Sequence, residues 1–150
     1  MERVSKRNYY LDIAQTVLER ATCLRRVYGA IIVKNDEIIS TGYNGAPRGR
    51  KNCTREQLKV PRGERYELCR SVHAEANAII SAQRRDMVGA TIYLVGRDAR
   101  SGELLHDATS CPMCRRMIIN AGIDEVVIRR TEEEFDIVPV QKWIDEDDSL

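Results

Sequence analysis

The sequence predicts an α/β fold with three layers, α/β/α, in which helices cover both faces of a mixed sheet of about five strands. Three observations carry this expectation. Apolar residues recur at helical spacing near the start, two β-rich runs flank an Asn-Asp turn, and a strand–helix–strand unit occupies 91–129. With 150 residues, the chain suits one domain, 1–150, with one core.

Leu11, Ala14, Leu18 and Ala21 fall at three- and four-residue steps, which predicts a helix over roughly 7–22. Residues 28–33 form a β-rich run, Lys34-Asn35-Asp36 turns it, and 37–41 returns as the second arm of an antiparallel hairpin. Residues 42–70 read as a long loop, punctuated by Gly42, Gly45, Pro47, Gly49, Pro61 and Gly63. A loop of that length in a compact domain is usually functional or held down by something. Ser71 is placed to cap a helix that runs through His73, Glu75 and Ile79 to about Gln83. Residues 91–95 read as a buried strand, and 96–110 as a polar loop. A third helix opens at Cys111-Pro112-Met113-Cys114, with Pro112 suited to its first position and Gly122 to its stop. Residues 125–129 form the next strand, reached by a right-handed parallel crossover. A fourth helix over 140–145 precedes a frayed acidic tail.

Apolar residues make up 43% of the chain and charged ones 31%, a balance typical of soluble globular proteins. No leader pattern and no membrane-length apolar run is visible, so a cytoplasmic location is expected and no membrane partner. Five cysteines, an odd number in a chain read as intracellular, favour metal ligands or free thiols over disulfides. Net charge is +1, but residues 20–70 hold 12 Lys/Arg against 5 Asp/Glu, while 131–150 hold 1 against 8. Such blocks are commonly solvated surface. The basic one could also attract a phosphorylated ligand. Its few aromatic residues argue against a nucleic-acid stacking groove.

The chemistry concentrates in His73-Ala74-Glu75 and Cys111-Pro112-Met113-Cys114. One imidazole and two thiolates hold Zn²⁺ and leave its fourth position open for water, as catalytic zinc sites do. Both cysteines lie at a helix start, where the partial positive charge favours the thiolate. Glu75, two residues after His73, can move protons without binding the metal. That set can hydrolyse an amino group from a nucleobase ring carbon. Taken singly, the elements are weaker: Cys-x-x-Cys also occurs in redox motifs and zinc ribbons.

In order and spacing the chain resembles the zinc-dependent nucleobase deaminases, whose signature is His-x-Glu followed by Pro-Cys-x-x-Cys. Within that family it is most similar to deoxycytidylate (dCMP) deaminases. The segments that carry the resemblance are Gly29-Ala30-Ile31-Ile32-Val33, Thr41-Gly42-Tyr43-Asn44-Gly45-Ala46-Pro47, Cys69-Arg70-Ser71-Val72-His73-Ala74-Glu75-Ala76-Asn77-Ala78-Ile79 and Ile118-Ile119-Asn120-Ala121-Gly122-Ile123. The resemblance covers about 8–130, most of the chain. Gly-Tyr-Asn-Gly and the helix after the cysteines set the chain apart from tRNA adenosine deaminases. The resemblance implies a cytidine-deaminase-like fold, with His73, Cys111 and Cys114 as zinc ligands and Glu75 as proton shuttle. It implies that Asn44 contacts substrate, although turn chemistry explains an asparagine there equally well. It also implies a homo-oligomer, often a hexamer, with the 42–45 turn helping an effector nucleotide to bind. Two departures stand out: Ser110 occupies the place of the family proline, and 46–66 does not match the family form.

The expected activity is hydrolytic deamination of dCMP to dUMP, with dCTP, cytidine or another aminated base as alternative substrates. A monophosphate needs a cationic clamp. Arg25, Arg26 and Arg48 are the candidates, with Arg115 and Arg116 behind them. Cys23, Cys53 and Cys69 are either small buried side chains or ligands of a second, structural zinc, with His106 too far along the chain to complete an obvious set. The alternative from another class is a zinc-stabilised nucleic-acid-binding module, which requires a closed four-ligand site.

Overall fold

A computed structural model describes residues 2–53 and 69–150. Most of the long loop expected over 42–70 therefore lies outside the described residues.

The first helix, α1 (Lys6–Val17), starts where the Ser5 hydroxyl accepts the Asn8 amide and passes into a 3-10 turn over Leu18–Arg20. The predicted 7–22 helix is thus shorter and tightens at its end. Strands β1 (Arg26–Lys34) and β2 (Glu37–Tyr43) form the predicted hairpin, each longer than the sequence suggested. Asn35 and Asp36 both take positive φ, 52° and 62°, as a two-residue hairpin turn requires. Two short helices follow, α2 (Ala74–Ile80) and α3 (Arg84–Met87). Strand β3 (Thr91–Asp98) leads through a loop to α4 (Pro112–Ala121), then β4 (Glu125–Arg129). Pro112 opens α4 and Gly122 closes it at φ 81°, as the sequence predicted. Strand β5 (Phe135–Pro139) was hidden in the acidic segment, and α5 (Val140–Glu146) ends the fold.

The sheet order is β2-β1-β3-β4-β5. β3 and β4 are parallel, as the crossover required, and the other neighbours are antiparallel, which makes the sheet mixed and five-stranded. Alternation along the strands divides the core. Ala30, Ile32, Ile92, Leu94, Val126 and Ile128 face α2, α3, α4 and α5, whereas Ile31, Val33, Tyr93, Val95 and Val127 face α1. The three predicted layers are present. Each fully buried aliphatic side chain contributes about 1.5–3 kcal/mol relative to exposure. Among the described residues no helix is long and apolar enough to cross a membrane.

Two polar anchors escaped the sequence reading. Arg129 is 1% exposed beneath α1, where it meets Asp12 at 2.8 Å, the Gln15 side chain at 2.9 Å and both oxygens of Asn8. Arg115 donates to Asp147 at 2.6 Å and lies 5.1 Å from the Trp143 ring centroid. Arg116 donates to the Ser149 carbonyl, and Leu150 packs on the core. The tail expected to fray is tied to α4.

From α1, Tyr10 donates a hydrogen bond to Asp36 in the hairpin turn. That bond and burial raise the phenol from 10.0 to about 12. Because the folded value is the higher one, the stabilisation is complete below pH 10 and lost as pH rises through about 12. The stability difference between wild type and Tyr10→Phe, read from urea midpoints, should therefore shrink over that window.

Candidate metal centre

The Gly45–Val72 bridge decides where His73 stands. Val72 donates to Gly45 O at 2.7 Å and accepts from Gly45 N at 3.2 Å, which holds the chain extended up to His73. His73, at φ −69° and ψ 153°, is therefore the N-cap of α2, and the helix begins two residues later than Ser71 capping would give. The Ser71 hydroxyl instead accepts from the Cys23 thiol at 3.0 Å. The helix also stops at Ile80 rather than near 83. α2 is seated on the hairpin by Ser40 Oγ donating to Ala78 O at 2.7 Å and Asn77 Nδ2 donating to Tyr43 O at 2.8 Å. Gly42 permits that seating, since a Cβ there would lie 2.3 Å from Ala74 O and 2.4 Å from Ala78 N.

From the other side, Cys111 is the N-cap of α4 and its sulfur accepts the Cys114 amide at 3.5 Å. His73 Nδ1 lies 3.5 Å from Cys111 Sγ and 3.4 Å from Cys114 Sγ, and the three atoms are within 4.8 Å of one another. A tetrahedral zinc with ordinary Zn–N and Zn–S bonds sets nitrogen and sulfur about 3.6 Å apart. The three groups fit that ion as they stand. Among the described residues no fourth His, Cys, Asp or Glu joins the group, so a closed protein cage is not built. Exposure falls from His73 (exposed) through Cys111 (half-buried) to Cys114 (buried), so the site opens on the imidazole side.

Glu75, 4% exposed, lies in the first turn of α2 and hydrogen-bonds Cys114. Burial pushes the Cys114 thiol well above its ordinary value, and the neighbouring Glu75 and Cys111 add to the rise. A metal ion entering here displaces that proton. Arg115 steadies the thiol-bearing turn by donating from Nε to the Ser110 carbonyl at 2.9 Å. The Ser110 side chain is 1% exposed, and its hydroxyl has no partner among the described residues.

The remaining candidates separate. Asn44 is 5% exposed and its φ is not positive, which removes the turn explanation. Its Oδ1 accepts from Tyr28 N at 2.8 Å and its Nδ2 donates to Arg26 O at 2.9 Å, so the amide fixes the start of β1. Arg26 reaches Tyr28 and Asp107. Arg25 is half-buried and Arg48 is exposed in a turn. Arg115 and Arg116 are committed to the C-terminal segment and drop out as phosphate ligands. Charge on Cys53 and Cys69 adds to the burial that raises Cys23, which places the three thiols in one neighbourhood. They do not form a group as tight as the His73 set. His106 Nδ1 is engaged with Arg130 O at 2.8 Å. Tyr28 was missed by sequence reading. The available signal was strand parity, because it shares a face with Ala30 and Ile32.

The family model for the cytidine and deoxycytidylate deaminase zinc-binding region matches residues 4–130. A deoxycytidylate deaminase of Mycobacterium phage D29 is 35% identical over 135 residues, covering 85% of this chain and 96% of that protein. The deoxycytidylate deaminase of Saccharomyces cerevisiae is also 35% identical, over 145 residues and 91% of this chain. The chain spans only 42% of that longer relative. Among solved structures, the dCMP deaminase of cyanophage S-TIM5 in complex with dCMP and dUMP is 26% identical. It superposes with a TM-score of 0.61 over 86% of this chain and 84% of its own. With the His-x-Glu and Cys-x-x-Cys groups converging as the signature requires, the chain belongs to the zinc-dependent cytidine and deoxycytidylate deaminase family.

Proposed function

We propose that this protein is a hydrolase that deaminates dCMP to dUMP and releases ammonia. The observation that carries the reading is the meeting of His73 Nδ1, Cys111 Sγ and Cys114 Sγ beside the buried carboxyl group of Glu75. Relatives named for dCMP at 35% and 26% identity support the choice of nucleotide.

Zinc, when bound by those three residues, supplies an acidified water as nucleophile near neutral pH. The work of the chain is proton transfer and positioning. Glu75 takes a proton from water and gives it to the ring nitrogen beside the amino-bearing carbon. It then delivers the second proton to the departing amine, so that water and dCMP become dUMP and ammonia. Burial of Glu75 limits exchange of those protons with solvent. Asn44 holds residues 26–28 in place and keeps one N–H and one lone pair free, which suits a sugar hydroxyl. Arg25, Arg26 and Arg48 are the cations available for the phosphate. A homo-oligomer, up to a hexamer, belongs to the same reading and is measured by light scattering.

Ammonia release from zinc-loaded protein with dCMP, dCTP, cytidine and adenosine tests the proposal. Turnover should be fastest on dCMP. Absence of release from every pyrimidine would overturn it, and preference for dCTP or cytidine would move the substrate while leaving the chemistry in place.

A further inference from the structure

Tyr28, at the start of β1, and Asp107, in the β3–α4 loop, have no part in the mechanism above, where Arg26 stands only as one of three cations available for the phosphate. Arg26 hydrogen-bonds the Tyr28 phenol, and its Nη2 lies 3.8 Å from Asp107 Oδ2. The Tyr28 ring is placed by construction. A Cβ on Gly96 would lie 2.7 Å from Tyr28 Cε1 and 3.0 Å from Leu105 Cδ1, so the glycine makes room for the ring. The Asn44 amide fixes the backbone on either side, at Arg26 O and Tyr28 N. Tyr28 shares a sheet face with Ala30 and Ile32, the face that carries α2 and α4.

The hydrogen-bond roles have a direction. A guanidinium can only donate, so the Tyr28 oxygen accepts from Arg26 and its own O–H remains free to donate. Burial, first, raises the phenol above its ordinary value, and the charges of Glu75 and Asp107 add to this against the pull of Arg26. The phenol is therefore neutral at physiological pH, and it lies close enough to Glu75 to sense its charge. The Arg26–Asp107 contact is long, and its side chains are 37% and 73% exposed. Such a pair contributes little to stability and yields readily to a better anion. A phosphate monoester is one, because it can accept from the guanidinium fork and the phenol together.

We infer that Arg26 and Tyr28 form a phosphate-reading pair at the mouth of the metal centre, with Asp107 as the internal counter-ion that a substrate's phosphate displaces. This rests on the proposed deaminase reading and deepens it, since it names Tyr28 as the residue that reads the phosphate alongside Arg26. The pair determines specificity for a nucleoside monophosphate over the free nucleoside.

The test compares Arg26→Ala, Arg26→Lys and Tyr28→Phe with wild type on dCMP and on deoxycytidine. Calorimetric affinities for dUMP and deoxyuridine are taken in parallel. Arg26→Ala should lose about 10–100-fold in kcat/KM on dCMP, mainly through KM, and Tyr28→Phe about 10-fold. Arg26→Lys should fall between wild type and alanine, which guards against a folding defect in the truncation. Losses on deoxycytidine should be about tenfold smaller or more, and dUMP affinity should fall in step with dCMP turnover. Equal losses on both substrates, or no loss on dCMP, overturn the inference. If wild type releases no ammonia yet binds dUMP through Arg26, the deaminase reading fails and the phosphate pair stands. If ammonia is released and both variants ignore the phosphate, the reverse holds.

Discussion

Glu75→Gln is expected to lower kcat on dCMP by about 10²–10⁴-fold, the usual span for a lost general acid–base group. The substitution keeps the shape of a side chain that is 4% exposed, so packing in the first turn of α2 is preserved. It removes only the capacity to carry a proton from water to the ring and on to the amine. His73, Cys111 and Cys114 are untouched, so zinc content by atomic absorption should remain that of the parent. KM should change little, because the lost interaction belongs to the transition state rather than to binding. The same measurement separates the enzyme from a zinc-stabilised nucleic-acid module, in which exchanging Glu75 would leave every property in place. Turnover that survives the exchange would require another proton carrier and would remove Glu75 from the mechanism.

Gly42→Ala should lower stability far more than the size of one methyl group suggests. The new methyl would sit 2.3 Å and 2.4 Å from the backbone of Ala74 and Ala78, and backbone within a helix cannot rotate away as a side chain can. Ordinary contact requires β2 and α2 to separate by roughly an ångström. Overpacking typically costs about 1–3 kcal/mol, and the upper part of that range is expected here. Ser40 Oγ–Ala78 O and Asn77 Nδ2–Tyr43 O, which depend on the same approach, would lengthen together. Because His73 caps α2, the shift reaches the metal ligands, and zinc should be lost to a chelator faster than from wild type. Gly102 gives the control, with a positive φ of 76° but, among the described residues, nothing within 4 Å of an added Cβ. Gly102→Ala should bear only the cost of its backbone conformation, with metal retention unchanged. A Gly42 variant as stable as the Gly102 one would mean that the helix and hairpin are not in the contact described.

Local chemistry made much of this legible in advance. Asn35-Asp36 marked the hairpin because short polar residues tolerate left-handed backbone, and both adopt it. Pro112 and Gly122 bounded α4 because each does at a helix end what it cannot do inside one. His73, Cys111 and Cys114, which converge as a group able to hold a metal ion, were singled out by residue type and order. What escaped depends on partners remote in sequence. His73 stands outside its helix because Val72 pairs with Gly45, and no local preference of Ser71 could reveal that. β5 stayed hidden because its exposed Asp136 lies among acidic neighbours that read as solvated tail. Arg115 looked like a spare cation, yet its partner Asp147 lies 32 residues away. Arg129 ends the predicted 125–129 strand, and only the approach of α1 with Asn8, Asp12 and Gln15 makes its burial tolerable.

The order in which the sheet is wound bears on how the protein is made. His73 lies between β2 and β3, while both thiols lie in the crossover from β3 to β4. A nascent chain leaving the ribosome exposes its imidazole well before either sulfur has been synthesised. The three-group set is complete only once α4, which carries both thiols, packs against α2. Metallation is therefore a late event of biogenesis, and cells starved of zinc should accumulate full-length chains whose sheet has formed around an incomplete centre.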